Sequence, residues 1–172
     1  RLIMGLEKPE EGLLELGKYN IFPSYFEQNQ AEALELDKTI IETISESVPS
    51  WTQTEARSLL GGFGLTNDSV FKEVSKISGG EKARLALALI VLKPSNLLIL
   101  DEPTNHLDMP SKEMLEKALT NYNGNALIVS HDRYFISKVA NKIVEMRDGE
   151  LIKYQGDYKY YKEKNLEEQQ EK

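Results

Sequence analysis

One stretch constrains this chain more than any other: Leu97-Leu98-Ile99-Leu100-Asp101-Glu102-Pro103-Thr104-Asn105-His106-Leu107-Asp108. Its apolar run is too short for a helix and ends abruptly in two adjacent acids. A short continuous run of this kind reads as a strand buried in a parallel sheet, which sets the fold class as α/β. Open α/β sheets bind ligands just beyond the C-terminal ends of their strands, where Asp101 and Glu102 fall. Adjacent carboxylates beside a core are costly without a cation, a proton or a water to serve, so a metal-and-base reading outweighs one in which they merely start a turn.

Composition then removes whole classes of function. A chain of 172 residues, 40% hydrophobic and 28% charged, fits one soluble globular domain. It has no run of eighteen apolar residues and no basic start leading into an apolar segment, so neither a membrane span nor a secretory signal is predicted. With no cysteine, disulfides and cysteine-ligated metals are excluded, which is compatible with a cytoplasmic or stromal compartment. A net charge of -7 argues against a general nucleic-acid binder, since phosphate neutralisation needs clustered Lys and Arg.

The chain opens on Arg1, and Leu2, Ile3 and Leu6 around Gly5 have the pattern of a helix's last turn closed by glycine; the expectation is a fragment that starts inside an element. Gly12 to Tyr19 has the spacing of a phosphate loop, G-x-x-x-x-G-K, but ends in Tyr where Ser or Thr is required. Leu13, Leu14 and Leu16 also favour a strand, so the segment is rejected as a nucleotide loop and read as a hairpin, 12–16 and 20–26, turning at Gly17-Lys18. A small helical subdomain is expected over about 31–92. It contains helices at 31–46 and 54–60 with Leu34, Leu36, Ile40, Ile41 and Ile44 as the buried stripe, and Trp51 as a partly buried anchor in a polar loop.

Ser78-Gly79-Gly80-Glu81 leads into a helix over 82–92 that is apolar almost all round. Ser78 and Glu81 have capping-box spacing, which alone would mean only a well-capped helix. The two glycines add a backbone-entropy cost that an ordinary cap does not need, whereas an anion approaching the helix N-terminus benefits from bare amides and the dipole. Further on, a helix is expected over 110–119, a turn at Asn123-Gly124 and a second short buried strand over 126–129. That strand ends in Ser130-His131-Asp132, and a histidine at a parallel strand's C-terminal end favours function over a structural role. A helix over 134–141, a hairpin of 142–147 and 150–154 about Asp148-Gly149, and a charged, solvated helix or tail over 157–172 complete the chain.

Together these motifs resemble the nucleotide-binding domain of ATP-binding cassette proteins, and specifically the ABC-F subfamily. Ser78-Gly79-Gly80-Glu81 resembles the signature motif, Leu97 to Asp101 the Walker B strand with Glu102 following as base, and Asn105-His106-Leu107-Asp108 the D-loop. Gln28 resembles the Q-loop glutamine and His131 the switch histidine. Glu81 stands where transporters usually carry glutamine, and Lys82-Ala83-Arg84, Glu102 to Asp108 and Ser130 to Phe135 read like ABC-F proteins. The opening Arg1 to Gly5 resembles the segment just after a Walker A loop, so the resemblance implies a P-loop NTPase-like cassette with a parallel core sheet, small antiparallel hairpins and a helical subdomain, lacking its N-terminal part. On this reading residues 1–156 are the partial cassette and 157–172 begin a charged C-terminal helical extension.

The resemblance further implies ATP and Mg²⁺ as ligands. Asp101 would hold magnesium through water, Gln28 would sense the metal and the attacking water, Glu102 would orient or deprotonate that water, and His131 would bind the γ-phosphate. Ser78, Gly79, Gly80 and Glu81 would act in trans on ATP held by a second cassette, and the segment between Gln28 and Ser78, with no obvious room for an arm insertion, points to the second cassette of a twin-cassette protein acting on the ribosome through parts not present here. As it stands the chain is expected to hydrolyse nothing. Two other readings stay open: a transporter's energy-coupling subunit, against which Glu81 argues, and a non-catalytic assembly module.

Overall fold

The computed structural model describes residues 1–26, 31–105 and 107–167 in full and the backbone of 168–170. The chain forms two compact units, Arg1–Val129 and Ser130–Lys172. The first is built on a parallel sheet of β1 (Pro23–Phe26), β2 (Leu97–Asp101) and β3 (Asn125–Val129), in the order β1-β2-β3. Phe26 stands opposite Leu100, and Asp101 opposite Val129. The apolar run therefore occupies the central strand, and Leu98, Ile99 and Leu100 are buried. Helix α3 (Gly79–Leu92) and helix α4 (Met109–Thr120) contribute Leu87, Ile90 and Leu115 to the apolar packing around Leu98 and Leu100.

β3 was expected to be buried and is not: Leu127 is 41% and Val129 53% exposed. Among the described residues it pairs only with β2 and ends the sheet, so one of its edges and much of its side-chain surface stay in water.

The hairpin expected over 12–26 does not form. Residues 12–22 carry no strand, and β1 pairs in parallel with β2 instead of folding back on 12–16. The reason lies at Asn20 and Asn96. Asn20 has φ 53°, which breaks an extended run before it reaches β1. The Asn96 side chain accepts from the Phe22 N–H (2.8 Å) and donates to the Asn20 carbonyl (2.5 Å), feeding the chain into register with β2. The rejection of Gly12 to Lys18 as a phosphate loop stands on geometry too, since a bend and a strand come after it where a helix N-terminus is needed. Residues 1–6 behave as the glycine pattern suggested. The Leu6 N–H donates to the Arg1 carbonyl and the Gly5 N–H to the Leu2 carbonyl, with Gly5 at φ +69°, the hydrogen bonding of a Schellman turn.

In the helical region, α1 (Ile40–Ser47) begins nine residues later than the pattern suggested. The backbone of 36–40 is already committed to 72–75: the Val74 N–H donates to the Lys38 carbonyl, Ser75 to Leu36, and Ile40 to Lys72. A segment bonded sideways cannot also bond to itself at i−4, so the helix starts only after Thr39, whose capping box with Glu42 is complete. Leu36 is consequently 51% exposed, whereas Leu34, Ile40, Ile41 and Ile44 are buried as expected. Helix α2 (Gln53–Gly62) is capped the same way by Thr52 and Glu55 and buries Ala56 and Leu60. Trp51 lies 38% exposed at the turn between α1 and α2.

The second unit contains α5 (Arg133–Val139), the antiparallel hairpin of β4 (Ile143–Arg147) and β5 (Glu150–Tyr154), and α6 (Tyr158–Gln170). Asp148 and Gly149 both have positive φ, as a primed two-residue turn requires. Of the expected small antiparallel hairpins this one forms. Asn165 on α6 donates to Glu145 at 3.4 Å, and the Tyr161 ring meets Tyr154 edge-on at 5.0 Å, so the first part of the charged helix has a packed face.

Candidate functional site

Two pieces of the first unit hold most of the candidate residues that the structure describes. The first is the end of β2. Asp101 is its last residue and is half-buried. Glu102 comes next with φ 47°, a left-handed conformation that costs a non-glycine residue about 1 kcal/mol or more, and it precedes a proline, which restricts it further. Two backbone bonds hold it there: the Glu102 N–H donates to the Val129 carbonyl at 2.9 Å, and the Asn105 N–H closes a turn on the Glu102 carbonyl at 3.1 Å. Pro103 and Thr104 are buried beneath this turn. The consequence is that the strand's alternation stops at Asp101 and both acids are carried at the sheet's C-terminal edge.

The second piece is the N-terminus of α3. Ser78 is its N-cap in extended conformation, and the capping box is closed: the Ser78 N–H donates to Glu81 Oε2 at 2.9 Å, the Ser78 hydroxyl to the same oxygen at 2.8 Å, and the Glu81 N–H to Ser78 Oγ at 3.3 Å. The first main-chain bond of the helix runs from the Lys82 N–H to the Ser78 carbonyl, leaving the Gly79 and Gly80 amides ahead of it. The two glycines have different surroundings. A Cβ on Gly79 would meet nothing within 4 Å, so no contact among the described residues requires glycine there. A Cβ on Gly80 would sit 3.3 Å from Asp108 Oδ2 and 3.7 Å from Arg84 Nη1, so glycine there leaves room for the 105–108 loop.

Asp108 ends that loop as the N-cap of α4, accepting from the Ser111 N–H at 2.9 Å and from the Ser111 hydroxyl, and Ser111 is fully buried. Arg84 reaches across from α3 to Asp108 and Ser111, at 3.3 Å each. This bridge was not anticipated from the residues. Its signal was available, because Arg84 is a cation on a helix otherwise apolar past its first turn, one helical turn after Gly80. Asn105 is exposed and Leu107 half-buried in the same loop. Gln28 and His106 lie outside the described residues. His131 belongs to the second unit, two residues past the end of β3. There the Asp132 N–H donates to the Ser130 hydroxyl at 3.1 Å, and the Asp132 carboxylate caps α5 through the Tyr134 and Phe135 amides, so His131 sits exposed in a locally tethered turn.

The Glu81 and Asp108 carboxylates are held below the ordinary carboxylate range. For Glu81 the Ser78 amide is the main cause and the Ser78 hydroxyl the next; for Asp108 it is the Ser111 hydroxyl, then the Ser111 amide, with Arg84 adding to both. A depressed folded-state pKa means that the unfolded chain binds protons first, so this stability is present above the unfolded value of about 4 and is lost as the pH falls through the folded values. The urea midpoint should therefore be flat from neutral pH to about pH 5 and drop steeply below about pH 4. Glu81→Gln keeps the capping geometry without the charge and should make that drop shallower. Equal acid slopes for the variant and the parent sequence would refute the assignment.

Comparison with known proteins shows which family the chain resembles. The family model described as ABC transporter matches residues 1–105. The chain is 56% identical to ABC transporter F family member 2 of Arabidopsis thaliana over 97% of its own length and 25% of that protein, and 34% identical to ATP-binding cassette sub-family F member 3 of Mus musculus over 94% and 23%. It spans about a quarter of the length of these relatives. Its fold matches a chain in the crystal structure of the complex of archaeal ribosomal stalk protein aP1 and archaeal ribosome recycling factor aABCE1, with TM-score 0.67 and 27% identity over 86% of this chain and 29% of that one. With strand, acids, capped glycine pair and relatives in agreement, the chain belongs to the ABC transporter family and is similar to its F-type members.

Proposed function

We propose that this cassette binds and hydrolyses ATP with Mg²⁺, paired with a second cassette, in an ABC-F protein that acts on the ribosome. The observation that carries the reading is Glu102, held in a left-handed turn directly after the acid-ended central strand. Strain of this kind at a strand's C-terminal edge clusters at functional sites, because it aims a side chain where regular structure would not. The donor set fits magnesium. Asp101 and Glu102 offer hard carboxylate oxygens, and although no three acids or histidines cluster among the described residues, Mg²⁺ is typically held by one or two carboxylates together with phosphate oxygens. When bound, it would neutralise charge on the phosphates.

In this reading Asp101 would hold the metal through water, Gln28 would sense the metal and the attacking water, and Glu102 would orient that water and accept its proton. His131 contacts the γ-phosphate. The Gly79 and Gly80 amides and the Ser78 hydroxyl face the nucleotide of the opposite cassette, where the α3 N-terminus favours negative charge. Residues 1–156 belong to the cassette, and 157–172 form a charged helical segment after it. The ribosomal part rests on the F-type relatives and on the fold shared with the recycling factor. No helix among the described residues is long and apolar enough to cross a membrane. A cytoplasmic or stromal setting belongs to the same reading.

The test is magnesium-dependent phosphate release by the full-length protein that carries this cassette, with and without ribosomes, paired with ribosome pelleting in the presence of ATP. Phosphate release stimulated by ribosomes, and pelleting that needs ATP, are expected. Release that ribosomes leave unchanged, with no pelleting, would favour the energy-coupling alternative.

A further inference from the structure

We propose that Arg84 is a positioning residue that fastens the anion-facing N-terminus of α3 to the 105–108 loop, so that the two present themselves to the partner cassette in one fixed register. The inference rests on the ATPase reading above and adds a residue to it.

Four observations meet at this point. Arg84 lies one turn beyond Gly80 on the same face of α3, and its side chain is only 15% exposed, whereas its partner Asp108 is 51% exposed. Burying a guanidinium is costly, and here the cost is not fully offset, because Nε is buried without a hydrogen-bond partner while Nη1 bonds Asp108 Oδ2 and Ser111 Oγ at 3.3 Å. An ion pair kept for stability alone is a weak explanation when its partner is half in water. Third, Asp108 is already satisfied locally by the Ser111 amide and hydroxyl, so α4 is capped without Arg84. The arginine is superfluous as a cap and useful as a strut. Fourth, a Cβ on Gly80 would crowd Asp108 Oδ2 at 3.3 Å, so the backbone at Gly80 and the loop's carboxylate are packed closely enough that a side chain there would have to push the carboxylate aside.

The physical consequence is rigidity where two loops must meet one partner. Gly79, Asn105 and Leu107 are exposed or half-exposed on separate elements, and their relative placement depends on the α3–α4 contact near their ends. Arg84 supplies the polar part of that contact, its Nη1 bonding both Asp108, the N-cap of α4, and Ser111 in the first turn of that helix. Loosening it leaves nucleotide contacts made within one cassette untouched and misplaces those made across the pair.

The test is steady-state ATP hydrolysis and equilibrium ATP binding by the full-length protein with Arg84→Met, Asp108→Asn, and both, at a temperature where melting curves show all of them folded. Asn keeps the N-cap and drops the charge. We expect Arg84→Met to lower kcat about 10- to 100-fold, as sub-ångström misplacement does, with ATP affinity unchanged. The double variant should be no worse than Arg84→Met alone, because both changes cut the same strut. Should Arg84→Met fail to fold, Arg84→Lys takes its place with a smaller expected loss and the same non-additivity. A wild-type kcat in the arginine variant, a loss confined to ATP affinity, or losses that multiply in the double variant would overturn the proposal. Glu102→Gln is measured alongside: if it too hydrolyses at the wild-type rate, the ATPase reading itself falls and takes the proposal with it, whereas an inactive Glu102→Gln beside an unaffected Arg84→Met removes the proposal alone.

Discussion

Glu102→Gln in the full-length protein is expected to abolish most ATP turnover while leaving ATP binding intact. The amide is nearly isosteric with the carboxylate and keeps the turn, because the backbone bonds at position 102, its N–H to the Val129 carbonyl and its carbonyl accepting from the Asn105 N–H, are unchanged by the substitution. What it loses is the basic oxygen beside the attacking water. General-base removal costs about 10²- to 10⁴-fold in rate, or about 3 to 5 kcal/mol of barrier. Since binding survives and chemistry does not, a closed, ATP-loaded state should accumulate. Single-turnover hydrolysis would show it directly, and a mutant turning over at wild-type speed would remove Glu102 from the mechanism. Stability offers an independent check: the strain at φ 47° remains in Gln, so melting temperature should change little.

Ser78→Arg should leave the fold intact and prevent two cassettes from closing on ATP. The structural cost is small, because losing one N-cap acceptor destabilises by about 1 kcal/mol and Ser78 is exposed. The functional cost is large. Beside Ser78 lies Gly79, with open space where its Cβ would be, and a long cationic side chain would occupy the space through which a phosphate reaches the Gly79 and Gly80 amides. Losing preorganised donors of this kind costs on the order of 10²- to 10³-fold in turnover. Fluorescence energy transfer between labelled cassettes, read with and without ATP, is the measurement. Closure equal to the parent protein's would reduce Ser78 to a helix cap, the reading its capping box alone supports.

What the residues determined by themselves were features settled within a few positions of one another. The run 97–100 had to be a strand, because no helix so short could satisfy its backbone, and it became the central strand with Leu98, Ile99 and Leu100 buried and Asp101 at its end. Ser78 and Glu81 had to close a capping box, since the donor and acceptor are three residues apart, and they do. Asp148-Gly149 had to turn a hairpin, because few other pairs tolerate two successive positive φ angles. The family resemblance rested on such local motifs, and the comparisons agree with it.

Tertiary structure alone decided features that depend on residues far apart in the chain. The strand expected at 12–16 lost its partner because Asn96, 76 positions beyond Asn20, captures the turn and delivers β1 to β2. The helix expected from 31 starts at 40 because residues 72–75 claim the backbone first, which also turned Leu36 out to solvent. β3 has the composition of a buried strand, yet composition cannot say what lies on its other side. The Arg84 bridge links positions 24 and 27 residues apart through two helices, so periodicity along either one contains no trace of the partner. The common reason is that a hydrogen bond or a cap between neighbours depends on local geometry, whereas a bond between distant segments depends on which of several competing partners the assembled core brings within about 3 Å.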